Sequence, residues 1–425
     1  MQRSTRAIAM LGISALALTG LVTAQSTKQI KFVGFAGSQG GFETRAKEFM
    51  KTHPDIQVKV EGVPATSWGE LLQAITVNIA GGDTPDVADI ATEGMRTFAV
   101  NGVISPIDDL IAKDPASKSL LADIHPNLIK AMKVDGKTYG LPTVWNTMVI
   151  YYNKKVLREA GADIPKEGWT ITDFLKTCSQ VVAKNNGGKD DKWCYSFANQ
   201  YFLTIVPWML RAGGNVLTND WTRSRLNDPN SIAAVQLLHD FIYKYKISPR
   251  VDGGVSDTDL FIQNKLAFMG CGTWCVNSLK LAKFNSEDYD IIYFPKIKTT
   301  QNIMGVGSAP IFTATQNRAA AWEYAKFLSG KEFQQTFVVQ DRWSEPSLRS
   351  AARKMEKTPG FPKNGHIFYD AASNGVLVPA PQEYGLIEAT LTREFGAAMA
   401  NSKSVKDAMA AADKDISAAL AKRKK

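Results

Sequence analysis

Between residues 28 and 90 the apolar pattern switches repeatedly between period two and period 3.6, and this constrains the fold more than any other feature. Residues 28–35 are strand-like and end in a Gly-rich turn over 36–41. Phe42, Ala46, Phe49 and Met50 then recur at helical spacing. Ile56, Val58 and Val60 alternate with polar residues, as a half-buried strand requires. Trp68, Leu71, Leu72, Ile75 and Ile79 form a second helical stripe, stopped at Gly81-Gly82, and residues 86–90 make a third short strand. Alternation of this kind predicts an α/β fold on a mostly parallel, helix-covered sheet.

The later chain continues in the same vocabulary. Residues 148–152 read as a strand, 154–161 as a short helix stopped by glycine, and 170–183 as a helix capped by Thr170 or Thr172. Units over 207–214, 228–245 and 260–270 are helical or extended. A strand over 291–294 and a helix over 318–328, ending at Gly330, precede a tail that is helical over 386–400 and 405–420. Aromatic pairs such as Trp322/Phe327 and Phe333/Phe337 read as core. The run 265–275, KLAFMGCGTWC, is different: an apolar strand enters a Gly-rich turn that holds Trp274. An indole fixed at such a turn suits a platform for a ligand.

Residues 1–24 read as an export signal, with Arg3 and Arg6 before an apolar stretch and Val22-Thr23-Ala24 as a cleavage site. Its removal takes two positive charges from a net +9 and leaves +7. That charge is spread along the chain apart from the basic residues 422–425, with no basic stripe interleaved with aromatics, so nucleic acid is not an expected partner. No later run is apolar for the ~18 residues of a membrane span. Cys178, Cys194, Cys271 and Cys275 form an even, sparse set in an exported chain, which favours disulfides. Of the three possible pairings, the sequence-local Cys178–Cys194 and Cys271–Cys275 is expected. Neither pair has zinc spacing, and the four histidines are scattered, without HExxH, GxSxG or a P-loop. No metal or cofactor is expected. Carboxylates are plentiful, so a carbohydrate-active enzyme working through an acid pair stays open. So does a trap for a polyamine, peptide or anion.

Several segments in fixed order resemble the extracellular solute-binding proteins of carbohydrate ABC importers, the maltose-binding type. They are Gly81-Gly82-Asp83-Thr84-Pro85-Asp86-Val87, Tyr139-Gly140-Leu141-Pro142 leading to Tyr151-Tyr152-Asn153-Lys154, Gly168-Trp169-Thr170, the stretch 270–274, and 305–309 before the helix 318–328. The resemblance implies a two-lobed periplasmic-binding-protein type II fold, closing on ligand by a hinge between discontinuous lobes. It places the crossings near 144–147, 292–296 and 340–346. Lobe 1 is then 25–144 plus 296–342, and lobe 2 is 145–295 plus 343–425. It also implies a periplasmic monomer that binds a sugar or short oligosaccharide and delivers it to the transmembrane subunits of an ABC permease, without catalysis.

Sugars present apolar C–H faces and rings of hydroxyls, which call for aromatic faces and for planar amides or carboxylates. Trp274 stands where the family has a stacking Trp. Tyr201 and Phe202 match a cleft aromatic segment. Trp145 and Asn146 lie at the first crossing, Arg342 and Trp343 at the third. Ser38 and Gln39 face the cleft from the opposite lobe, and Glu93 matches a hydroxyl-binding acid. The maltose binder's tail helix carries a stacking Trp where this chain reads Glu383-Tyr384-Gly385-Leu386-Ile387. Tyr384 is the candidate substitute, and the change puts maltose itself in doubt.

Overall fold

The computed structural model describes residues 27–184, 192–251 and 256–423. The export signal and the last two residues of the basic tail lie outside the described residues. Strands β1 (Lys28–Phe35), β2 (Ile56–Val63) and β3 (Val87–Ala88) form a parallel sheet in the order β2-β1-β3. Ile30 and Phe32 pack into one core cluster and Val33 into the other, so both faces of β1 are covered. The helices Gln39–Thr52 and Trp68–Ala80 follow β1 and β2. Ser67 caps the second, its side chain accepting from the Glu70 amide at 3.3 Å.

At Asp89 the chain changes sheets. The expected single strand over 86–90 is split into β3 and β4 (Ile90–Ala91), and β4 pairs with the strand Asn302–Ser308 in a different sheet. A hairpin of β5 (Lys133–Val134) and β6 (Lys137–Thr138) precedes β7 (Pro142–Asn146) and β8 (Val149–Asn153). The second lobe is built on a mixed sheet, β11-β8-β10-β9, from β9 (Trp193–Ser196), β10 (Leu266–Cys271) and β11 (Tyr289–Ile292) with β8. Asn153 caps the helix Lys154–Ala160, and Gly161, at φ +63°, ends it. Thr170 and Asp173 exchange hydrogen bonds at the start of the helix Ile171–Lys184. Both sequence-local cystines are present, Cys178–Cys194 and Cys271–Cys275.

Between the lobes runs a third sheet in the order β13-β7-β12-β14, with β12 (Asn302–Ser308), β13 (Glu345–Pro346) and β14 (Gly375–Leu377). One end of β12 pairs with β4 and the other with β14. β12 begins at Asn302, after the segment 292–296 expected as the second crossing. Residues there still belong to the second lobe: Ile292 pairs with Ile150, and the Lys296 amide donates to the Trp169 carbonyl at 2.9 Å. The amides of Lys298 and Thr299 both donate to the Arg211 carbonyl, at 2.8 and 3.1 Å.

Candidate functional site

The carboxyl ends of β1 and β3 open onto a cleft of about 1200 Å³ whose floor is the crossing sheet. Ligand sites at the carboxyl ends of parallel strands follow from this topology. One wall comes from Phe35, Trp68, Asp89 and Glu93, the other from Asn199, Tyr201, Phe202 and Trp274. Tyr384 and Glu388, on the helix Tyr384–Met399, bring the walls together. The amide of Gly69 donates to Glu388 Oε2 across the cleft at 3.2 Å.

Aromatic residues at the first position of a helix recur around this cleft. Trp68 opens Trp68–Ala80, Trp274 opens Trp274–Leu281 and Tyr384 opens Tyr384–Met399. At that position Trp68 and Trp274 stand half-buried at the helix mouth beside unpaired backbone N–H groups, while the Tyr384 ring is buried. Trp274 is half-buried, and its indole lies flat on the backbone of Gly272, where any Cβ would come within 2.1 Å of the ring. The Tyr151 hydroxyl donates to the Gly272 carbonyl at 2.7 Å, and the Cys271–Cys275 bridge closes the same loop. Phe202 lies against Gly305 on the floor, and Glu93 Oε1 faces the same glycine.

Several polar atoms here are buried and find no partner among the described residues: Trp145 Nε1, Asn146 Oδ1, Asn199 Oδ1 and Trp343 Nε1. Each belongs to a residue that lines the cleft. The amides are pinned by their other ends, Asn146 Nδ2 donating to Ser344 Oγ at 2.7 Å and Asn199 Nδ2 to the Thr392 carbonyl at 3.0 Å. An unmade hydrogen bond on a buried group costs ~1–3 kcal/mol. A partner that both donates and accepts would satisfy them.

The acids are withdrawn from water to different degrees, Glu93 fully and Asp89 and Glu388 in part. Glu93 is 2 % exposed, and burial pushes its carboxyl up to about 7; Thr92 Oγ1 donates to it at 3.1 Å. Burial likewise lifts Asp89 to about 7 and raises Glu388. The folded pKa of Glu93 lies above the unfolded carboxylate value, so between the two the folded chain keeps a proton that the unfolded chain has released. Stability therefore falls as pH rises through that window. Between pH 5.5 and 7 Glu93 should account for about 1.5 kcal/mol of that fall. Thermal unfolding at the two pH values should show a smaller drop in Tm for Glu93→Gln than for the unsubstituted chain. Parallel profiles would remove the assignment.

Of the residues expected at the site, Trp274, Glu93, Trp145, Asn146, Tyr201, Phe202, Trp343 and Tyr384 line the cleft. Ser38, Gln39 and Arg342 do not. Helix begins at Gln39, so the expected glycine turn is its first turn, where the Gln39 side chain donates to Glu43 at 2.8 Å and Ser38 is exposed. Arg342 turns away, donating to the Pro359 carbonyl at 2.8 Å and lying over Phe361. Sequence reading missed Phe35, Trp68, Asp89, Asn199 and Glu388. For Trp68 a signal existed, the Ser67 cap just before it.

Among the described residues no helix is long and apolar enough to cross a membrane, and no group of three or more His, Cys, Asp or Glu could hold a metal ion. The chain is similar to a maltotriose-binding protein of Pyrococcus abyssi, 26% identical over 68% of this chain and 59% of that one. It is also similar to a galactooligosaccharide-binding protein of Bacillus subtilis, 25% identical over 78% of this chain and 80% of that one. A Listeria monocytogenes ABC substrate-binding protein, solved with cycloalternan, superposes with a TM-score of 0.84 at 21% identity, over 93% of this chain and all of that one. The family model for bacterial extracellular solute-binding proteins matches residues 36–335, and with the two lobes, the crossing strands and the cleft between them the chain belongs to that family.

Proposed function

We propose that this protein captures a sugar or short oligosaccharide between its lobes and passes it to the transmembrane subunits of an ABC permease, acting as a periplasmic monomer without catalysis. One observation carries the reading: stacking aromatics and orphaned buried donors and acceptors line the same cleft. Rings suit the C–H faces of a pyranose, while indole N–H groups and amide oxygens suit its hydroxyls. The cleft exceeds the ~300–1,000 Å³ of common small-molecule pockets, which favours more than one sugar unit. The saccharide ligands of similar proteins agree with it.

The crossings at β7, β12 and β13 support a division of the described chain into lobe 1, residues 27–141 and 309–344, and lobe 2, residues 147–301 and 347–423. Ligand touching both lobes favours the closed state, which is what a trap requires. Thermal-shift screening of mono- and oligosaccharides against peptides and phosphates tests the reading. A saccharide at 100 times its Kd should stabilise the fold by about 2.7 kcal/mol. No shift with any saccharide overturns the sugar assignment. Release of cleaved sugar on prolonged incubation would instead support an enzyme using its cleft carboxylates.

A further inference from the structure

We infer that the cleft holds a subsite for a protonated amine, formed by Glu93 and Glu388 among the rings of Tyr201, Phe202 and Tyr384, and that the sugar captured is an amino sugar. The inference rests on the sugar reading and deepens it.

Charge balance is the first observation. Asp89, Glu93, Glu388, Glu70 and Glu383 line the cleft, while among the described residues Arg393 is the one basic residue of its lining. Arg393 is spent on Glu394 and Asp415, each at 3.1 Å. Glu383 is spent on Arg423 at 2.6 Å. An anionic sugar would meet carboxylates and no available cation.

Geometry is the second. Glu93 makes no ion pair among the described residues, and the charge of Glu388 bears on it. Glu388 is held in place from both oxygens, by the Tyr384 hydroxyl at 2.7 Å and the Gly69 amide at 3.2 Å. The Tyr201 hydroxyl is engaged by the Pro379 carbonyl at 2.9 Å, and its ring meets that of Tyr384 edge-on at 5.7 Å. Phe202 covers the floor glycine that Glu93 Oε1 also faces. Buried carboxylate beside aromatic faces is the environment that recognises an ammonium, which gains from the charge and from the ring quadrupoles together. A hydroxyl would gain only hydrogen bonds and would supply no charge to offset the burial that raises both acids. Trp145 Nε1, on a side chain 1 % exposed, and Asn146 Oδ1 supply the polar contacts for the rest of the ring.

Calorimetric titration with matched pairs tests this: glucose and glucosamine, galactose and galactosamine, cellobiose and the β-1,4 glucosamine dimer. N-acetylated forms serve as uncharged controls and spermidine as a non-sugar amine. In at least one pair the amine should bind ten-fold or more tightly than the alcohol, and N-acetylation should erase the difference. Glu93→Gln, confirmed folded by its melting curve, should cut the amine-over-alcohol ratio at least ten-fold. Neutral members binding as tightly as amines in every pair would overturn the amine subsite and leave the sugar reading intact. Spermidine binding with no saccharide bound would keep the subsite and overturn the sugar reading, and binding of nothing in the set would overturn both.

Discussion

Replacing Trp274 with alanine should weaken ligand binding about 100-fold, or about 2.7 kcal/mol, while shifting the melting temperature of the free protein by no more than a few degrees. The two expectations come from the two faces of one indole. Its inner face rests on Gly272, whose position is set by the Tyr151 hydroxyl below and by the Cys271–Cys275 bridge around the loop. Its outer face belongs to the cleft. A sugar face covering half an indole removes ~100 Å² of apolar surface from water, worth ~2.5 kcal/mol at ~25 cal/mol/Å². Removing the ring leaves no enclosed cavity, because Trp274 is only half-buried in the free protein. Gly272→Ala provides the companion test. A methyl there would collide with the ring within 2.1 Å and force the indole off its seat, so affinity should fall at least ten-fold with the tryptophan still present. Titration with the saccharide giving the largest thermal shift reads both variants; unchanged affinity in folded Trp274→Ala would end the stacking role.

The loop around Trp274 was legible because its signals are local: an apolar strand, a glycine, an aromatic and two bracketing cysteines lie within eleven residues. Legibility fell wherever distant segments decide the outcome. Gly40 and Gly41 read as a turn, since glycine is a poor helix former. In the fold Gly41 lies in the first turn of a helix, where a Cβ would sit 2.9 Å from the Arg45 guanidinium. Arg45 in turn pairs with Asp341 at 3.0 Å and lies over Phe42, Phe333, Phe337 and Trp343, mostly partners nearly 300 residues away. No periodicity could announce that contact. The crossing proposed at β12 was hard to read for a related reason. Residues 291–294 are the more apolar run, yet β12 makes the crossing with glycines at 305 and 307, which Phe202 and Val144 approach closely. Trp68 fits the i, i+3, i+4 stripe of its helix, but as the first residue of that helix it overhangs the cleft. Periodicity tells which face of a helix is apolar, not where along its length the core stops.

Trp208→Ala should destabilise the fold by ~3–5 kcal/mol. Trp208 is wholly buried in the second lobe, in the helix Val206–Arg211. Its ring meets Phe174 at 6.0 Å, Tyr195 at 5.7 Å, Phe241 at 5.3 Å and Phe294 at 5.4 Å, all edge-on. Its Nε1 donates to the Tyr195 hydroxyl at 3.0 Å, so truncation opens a cavity and also strips that fully buried phenol of its donor. Those neighbours come from separate elements: Phe174 from the helix that carries Cys178, Tyr195 from the strand that carries Cys194, Phe241 from the helix Pro229–Tyr243. The Cys178–Cys194 bridge therefore staples two sides of the packing that Trp208 fills. Because none of these residues lines the cleft, the loss should appear in the unfolding midpoint and leave affinity at 20 °C within about two-fold in the fraction that remains folded. Denaturant unfolding of Trp208→Ala beside Trp208→Phe separates the contributions. Phenylalanine keeps most of the volume and loses the N–H, so it should recover more than half of the deficit; equal loss in both variants would place the cost in the hydrogen bond and not in the cavity.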